Sequence, residues 1–260
     1  MSRTWHLSDV EFVSLWEGVT DEAVPAPLAF SSRTPRYDDY VREMFDTRER
    51  LRASLDPVIN VVLQTISRPD IGINAYAYDP RDPQNPKRCV RLLGARRDGR
   101  GYVTKQLPGE TLWHSGGFTI FECDEVDLAA AVVRQLPDAA AGRRTGLLLP
   151  VPDDDTMDHR YGRSDVLRSV ADSPERAAAA FLDEPTALRG TIDIIQGHSL
   201  FGPRGITGHT ITWRDVIDDG RYAITPGNHP TANGVDAKRL AAMVDTAVAE
   251  VVRAIDDEHV

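Results

Sequence analysis

The chain has 260 residues, 41% of them hydrophobic and 27% charged, a globular rather than a disordered balance. Its net charge of −10 argues against a phosphate-tracking surface, which needs clustered Lys and Arg, and no apolar run of about 18 residues is present to span a membrane. Cys89 and Cys123 fall in different expected strands and make no disulfide framework; with no basic-then-apolar leader pattern, the expected compartment is the reducing cytoplasm.

Ser8 and Glu11 have capping-box spacing ahead of Phe12, Leu15 and Trp16, and Gly18 is expected to end that helix. Pro25 and Pro27 force an extended approach to Leu28–Phe30, expected as a short strand. Tyr37–Ala53 reads as a charged helix marked by Tyr40, Met44 or Phe45, and Leu51. Asp56 and Pro57 supply a cap and a first-turn proline for a helix over Pro57–Ser67, with Val58, Val61, Val62 and Ile66 as its buried stripe. Ile71, Ile73, Ala75 and Ala77 alternate with Gly72, Asn74, Tyr76 and Tyr78, which predicts a strand with one buried face. Asp79–Pro86, with Pro80, Pro83 and Pro86, is a loop longer than a hairpin needs, and long loops on rigid sheets often carry recognition. Strands over Lys87–Arg97 and Tyr102–Gln106 flank a turn at Asp98-Gly99. Arg88, Arg91, Arg96, Arg97, Arg100 and Lys105 lie close together here and read as a solvated sheet face. A strand at Phe118–Glu122 and a helix from Asp124 to Leu136 follow.

Residues 152–169 hold Asp153, Asp154, Asp155 and Asp158 and read as a flexible acidic loop. Ser173 and Pro174 open a helix to Leu182. Strands are expected at Thr191–His198, Gly208–Asp215 and Arg221–Thr225. The last two are joined by Asp218-Asp219-Gly220, with Trp213 and Tyr222 packing across the hairpin. Pro226–Gly234 reads as a turn-rich connector, and Asp236–Ile255 as a helix carrying Leu240, Val244, Ala247 or Val248, Val251 and Ile255. Residues 55–137 and 173–256 thus repeat one pattern of helix, strands and helix. A single α+β domain of two similar halves over 1–260 is expected.

Chemistry is harder to find. The dinucleotide and phosphate-loop glycine motifs are missing, and Gly202, Gly205 and Gly208 read as a hairpin tip. The carboxylates at Asp153–Asp158, with His159, could attract a hard cation, but the EF-hand ligand order is missing. His114-Ser115-Gly116-Gly117 has glycine on only one side of the serine, unlike a nucleophile elbow, and His198, His209 and His229 have no ligand spacing. No catalytic residue, metal site or cofactor is therefore assigned, and a binding role is expected rather than an enzyme. A hydrolase using His114 or a metal on the acidic loop, and an unrelated regulatory binding domain, stay open as alternatives.

Trp213-Arg214-Asp215 followed by Asp219-Gly220-Arg221-Tyr222 resembles the C-terminal hairpin of the EspG family. Leu7-Ser8 with Phe12 and Trp16, Pro25-x-Pro27-Leu28, and Arg68-Pro69-Asp70 before a strand are similar too, in the same order. The resemblance implies an α+β fold with a central mostly antiparallel sheet, two similar pseudo-twofold-related halves and a C-terminal helical element, and it implies a cytosolic chaperone of the type VII (ESX) secretion system of actinobacteria. Such a chaperone binds a PE–PPE heterodimer at the PPE tip and keeps it soluble before export, as a monomer in a one-to-one-to-one complex, without nucleic acid or membrane insertion. The implied interface combines the central sheet, the C-terminal helices and an early-strand loop. By position this nominates Asp79, Arg81, Asp82, Gln84 and Lys87 in the loop and Lys238, Thr246 and Glu250 on the last helix. Partner choice is expected to vary through the loop, and the acidic 153–163 segment has no counterpart in the family pattern.

Overall fold

The structure is a computed structural model that describes residues 3–150, 174–227 and 229–258, so the acidic segment and the Ser173 cap lie outside the described residues. Its strands are β1 (Thr4–Leu7), β2 (Ile71–Tyr78), β3 (Cys89–Arg97), β4 (Arg100–Pro108), β5 (Ser115–Asp124), β6 (Leu147–Leu148), β7 (Thr186–Gln196), β8 (Gly208–Val216), β9 (Gly220–Thr225) and β10 (Thr231–Gly234). They form one sheet in the order β1-β5-β4-β3-β2-β7-β8-β9-β10-β6, with antiparallel neighbours throughout. The order is mirrored about the β2–β7 pair, whose register runs from Ile71 opposite Gln196 to Tyr78 opposite Arg189. The helices are α1 (Asp9–Thr20), α2 (Tyr37–Ser54), α3 (Val58–Ser67), α4 (Leu128–Val133), α5 (Pro174–Asp183) and α6 (Ala237–Asp257). The expected α+β class and the antiparallel central sheet implied by the resemblance are what the chain adopts.

Alternation along the central strands sets the layers. Ile71, Ile73, Ile192, Ile194 and Trp213 face α4 and α6, where Leu128, Val132, Leu240, Val244 and Val251 complete the largest core cluster. Two glycines let these layers close: a Cβ on Gly94 would sit 2.9 Å from Val132 Cγ2, and one on Gly190 2.4 Å from the Tyr76 carbonyl oxygen. On the opposite face α1 and α3 cover β3–β5, with Phe12 stacked on Phe118 at 4.2 Å, and α2 packs over α1. Farther along that face α5 packs Phe181 edge-on against Tyr222 at 5.0 Å.

Several local expectations are corrected. The capping box at Ser8 and Glu11 forms, but α1 runs past Gly18 to Thr20 and stops at Asp21, which takes the left-handed conformation that Asp tolerates. Leu28–Phe30 makes no strand, because the Ala29 amide donates to the Gln106 side chain (2.8 Å) instead of a ladder. The helix expected from Asp124 is shortened to a 3₁₀ turn, Glu125–Asp127, followed by α4. The connector at 226–234 contains β10, and β7 begins at Thr186 rather than Thr191. Trp213 and Tyr222 do not pack on each other. Their cross-strand partners are Ala223 and Arg214, which puts the two rings on opposite faces.

The Trp213–Tyr222 hairpin is held by buried charge. Arg221 donates to both carboxylate oxygens of Asp215 (2.8 and 2.9 Å) and to the Pro137 carbonyl (2.8 Å), with its guanidinium 4.6 Å from the Trp213 ring. Arg144 donates to Glu184 (2.7 Å) and to the Tyr222 hydroxyl (3.2 Å), and Tyr222 donates to Asp219 (2.6 Å). Truncating one member of such a buried pair strands the other charge.

The β2–β3 loop is stapled by Asp79, which is 1% exposed. Arg81 donates from its backbone amide (2.9 Å), Nε (2.9 Å) and Nη2 (2.8 Å), and Arg88 also donates to this carboxylate. The hydrogen bonds from Arg81 come first among the causes that hold the carboxyl well below the usual carboxylate range, against the opposing effect of burial. Asp82 and Asn85 extend the staple as successive turns, the Asn85 amide donating to the Asp82 carbonyl (3.1 Å) and Asn85 Nδ2 to Asp82 Oδ2 (2.9 Å).

Two outcomes follow from these charges. Asp215→Ala should lower unfolding free energy by about 3–5 kcal/mol in urea titration, and a loss under about 1 kcal/mol would show that the hairpin does not rely on the pair. Asp79→Asn should make tryptic cleavage after Arg81, Lys87 and Arg88 several-fold faster at neutral pH with the global midpoint little changed. Because the folded Asp79 pKa lies below the ordinary 3.8, the loop's protection from amide exchange should hold above that pH and fall only as the pH drops below it. Loss of protection already near neutrality would contradict the assignment.

Candidate functional site

Among the described residues, the helices leave part of the sheet bare. On the face away from α4 and α6, neither core cluster includes a residue of β2 or β7. The pleat that buries Ile71, Ile73, Ala75 and Ala77 points Asn74, Tyr76 and Tyr78 into this gap, and Arg189, Thr191, Asp193 and Ile195 of β7 join them. All are half-buried or exposed. The Tyr76 and Tyr78 rings lie 6.1 Å apart, and the Arg91 guanidinium lies 5.4 Å from the Tyr76 ring while donating to the carbonyls of Pro27 (2.8 Å) and Leu112 (3.1 Å). Burial, and then the neighbouring Cys89, push the Tyr76 hydroxyl pKa up, so this ring stays neutral. Thr210 donates to Asp193 (2.6 Å) at the far end of the strip. A bare sheet strip of aromatic, aliphatic and hydrogen-bonding groups is suited to a macromolecular surface rather than to enclosing a small molecule.

At one end of these strands the stapled loop borders a cleft of about 560 Å³, whose floor includes Pro137, Ala139, Ala140, Ala187, Leu188 and Val216. Asp79 and Arg81 line it; Asp82, Gln84 and Lys87 are exposed on the same loop. The staple turns Asp79 inward, so the side chains this loop offers are those of its exposed residues. Lys238, Thr246 and Glu250 are exposed on α6, on the other side of the sheet from the strip. Thr246 donates back to the Ala242 carbonyl (2.9 Å), and Glu250 Oε2 lies 3.2 Å from His209 Nε2. The structure therefore groups the loop residues and sets the α6 residues apart from the strip. Sequence reading missed Tyr76, Tyr78 and Arg189 as surface candidates, although the alternation in Ile71–Tyr78 already put both tyrosines opposite the buried face.

The residues considered for catalysis are turned to other partners. Ser115 Oγ donates to the Gly117 carbonyl and accepts from the Gly117 amide (both 3.0 Å), and His114 Nδ1 lies 2.8 Å from Thr111 Oγ1. Among the described residues no group of three or more His, Cys, Asp or Glu could hold a metal, and no helix is long and apolar enough to cross a membrane. Asp153–His159 lie outside those residues. Cys123 is an unreactive thiol, its pKa pushed up to about 11 chiefly by burial.

The fold has a solved counterpart in the type VII secretion system chaperone EspG5 of Mycobacterium tuberculosis, determined in complex with the PE25–PPE41 dimer. The TM-score is 0.58 at 14% identity, covering 95% of this chain and 96% of that one. At that identity the likeness bears on fold alone. The chain matches no curated protein sequence. The family model of the EspG family matches residues 8–246, from the α1 cap into the first half of α6, and so takes in the Trp213–Tyr222 hairpin and both sides of the sheet. The chain belongs to the EspG family.

Proposed function

We propose that this chain is a cytosolic chaperone of a type VII (ESX) secretion system, and that it binds a PE–PPE heterodimer through the PPE protein and keeps it soluble until export. The observation that carries this reading is family membership across residues 8–246, joined to a fold shared with a chaperone solved in complex with a PE–PPE dimer. The bare strip supports it, since Tyr76, Tyr78 and Ile195 offer apolar area bordered by polar groups, the composition of a non-obligate interface. The chain acts as one unit over 1–260, as a monomer in a one-to-one-to-one complex, by binding and without catalysis. The exposed loop residues Arg81, Asp82, Gln84 and Lys87 tune partner choice, and Lys238, Thr246 and Glu250 are further candidates where a partner reaches around to α6.

Co-expression with each PE–PPE pair of the same genome, followed by size exclusion with light scattering, tests this. A stable one-to-one-to-one complex with at least one pair is expected, and no complex with any pair defeats the proposal. Replacing residues 81–87 with a Gly/Ser loop of equal length should weaken that complex by about tenfold and shift the thermal midpoint by only a few degrees, because binding rather than the core is touched. Unchanged affinity and partner range would remove the loop from the interface.

A further inference from the structure

The bare strip has an electrostatic character opposite to that of the chain. Arg91 faces Tyr76, Tyr78 faces Arg189, and Arg189 faces Arg214 across successive strands of one surface. None of these three arginines is ion-paired with a carboxylate among the described residues. Arg91 donates to backbone carbonyls (2.8 and 3.1 Å). Arg214, 2% exposed, donates to the Glu184 carbonyl (2.8 Å) and to Thr186 Oγ1, with Phe181 beneath it at 4.7 Å. Arg189 is exposed and has no hydrogen-bond or ion-pair partner among the described residues. Asp193, on the same face, accepts from Thr210 (2.6 Å), and the Glu184 carboxylate is held by Arg144 (2.7 Å). Like charges directly opposite on paired strands destabilise a sheet. Consistent with that, burial first and then the Arg189 charge pull the Arg214 pKa down, against the opposing charge of Glu184. A chain of net charge −10 thus lines up three arginines along this face, of which Arg189 is exposed on the bare strip with no carboxylate partner among the described residues.

We propose that this strip receives an acidic segment of the protein partner, one or more Asp or Glu carboxylates meeting Arg189 while adjacent apolar side chains pack on Tyr76 and Tyr78. The inference rests on the chaperone reading above and specifies the chemistry of the partner's contacting segment. Arg189 is the contact residue; Arg214 lies behind it and strengthens the positive field without reaching the surface. The chain's overall negative charge repels an extended polyanion at long range, so a short acidic protein segment suits a local cationic row better than a nucleic acid does.

The test measures affinity of the wild type, R189E, R189K and R42E for the PE–PPE pair that co-purifies. R42E makes the same charge change on exposed Arg42 of α2. R189E should weaken binding by at least about tenfold, with R189K within about threefold and R42E unchanged. Raising salt from about 50 to about 300 mM should weaken the wild type and R189K while leaving R189E nearly insensitive. Wild-type binding with R189E equally tight overturns this inference and leaves the chaperone reading intact; no binding of any pair by the wild type overturns both. Retention on heparin that depends on Arg189, with partner affinity unchanged in R189E, would overturn it in favour of a polyanion.

Discussion

The antiparallel pairing of β2 with β7 is the constraint on which the rest of the molecule depends. Among the described residues it is the one ladder joining β3–β5 to β8–β10 in the sheet. Its register from Ile71–Gln196 to Tyr78–Arg189 decides which side chains of both strands meet α4 and α6. A slip of one residue in β2 would turn Ile71 and Ile73 outward and Tyr76 and Tyr78 inward, and a slip in β7 would turn Ile192 and Ile194 outward and Arg189 inward. The core and the bare strip are therefore two consequences of one register. Gly190 guards it, because a side chain there would meet the Tyr76 carbonyl and the Ala77 Cβ at 2.4 and 2.5 Å.

The residues that carry the family resemblance do structural work away from the strip. Asp215 and Arg221 form a buried pair over Trp213, on the α6 side of the sheet, while Arg214 and Tyr222 pack against Phe181 of α5 on the other. One hairpin thereby locks both helix layers to the second half of the sheet. This accounts for a recognisable run of residues in a protein with no evident catalytic motif: the constraint acts on buried charge and ring packing rather than on a reacting group.

The features proposed to meet a partner have the reverse character. The loop after β2 is shaped by its own short-range bonds, with Asp79 drawn into the structure and Arg81, Asp82, Gln84 and Lys87 left at the surface. Such a loop can change its exposed residues without disturbing the staple. The strip, by contrast, sits on the most deeply supported strands of the fold, so its Tyr76, Tyr78 and Arg189 are held in fixed spacing before any partner arrives, which limits the ordering cost of binding.

Much of this was legible in the chain itself. Period-two alternation identified β2, Asp-Gly pairs marked the β3–β4 and β8–β9 turns, Ser8 with Glu11 marked the start of α1, and the apolar stripe from Leu240 to Val251 marked α6, because each is a local rule acting over a few residues. The short strands β1, β6 and β10 were not legible, since strands of two to four residues owe their existence to a neighbouring ladder rather than to their own pattern. The opposite facing of Trp213 and Tyr222 required the β8–β9 register. The grouping of Arg91, Arg189 and Arg214 required β3, β2, β7 and β8 to be placed side by side, bringing together residues more than a hundred positions apart in sequence. Local periodicity, capping and turn chemistry thus determined the elements, and the run of motifs carried the resemblance to the family. Only the tertiary pairing of β2 with β7 decided which face stays bare and what charge it carries, because a side chain's face follows from its own strand but its neighbours follow from the sheet.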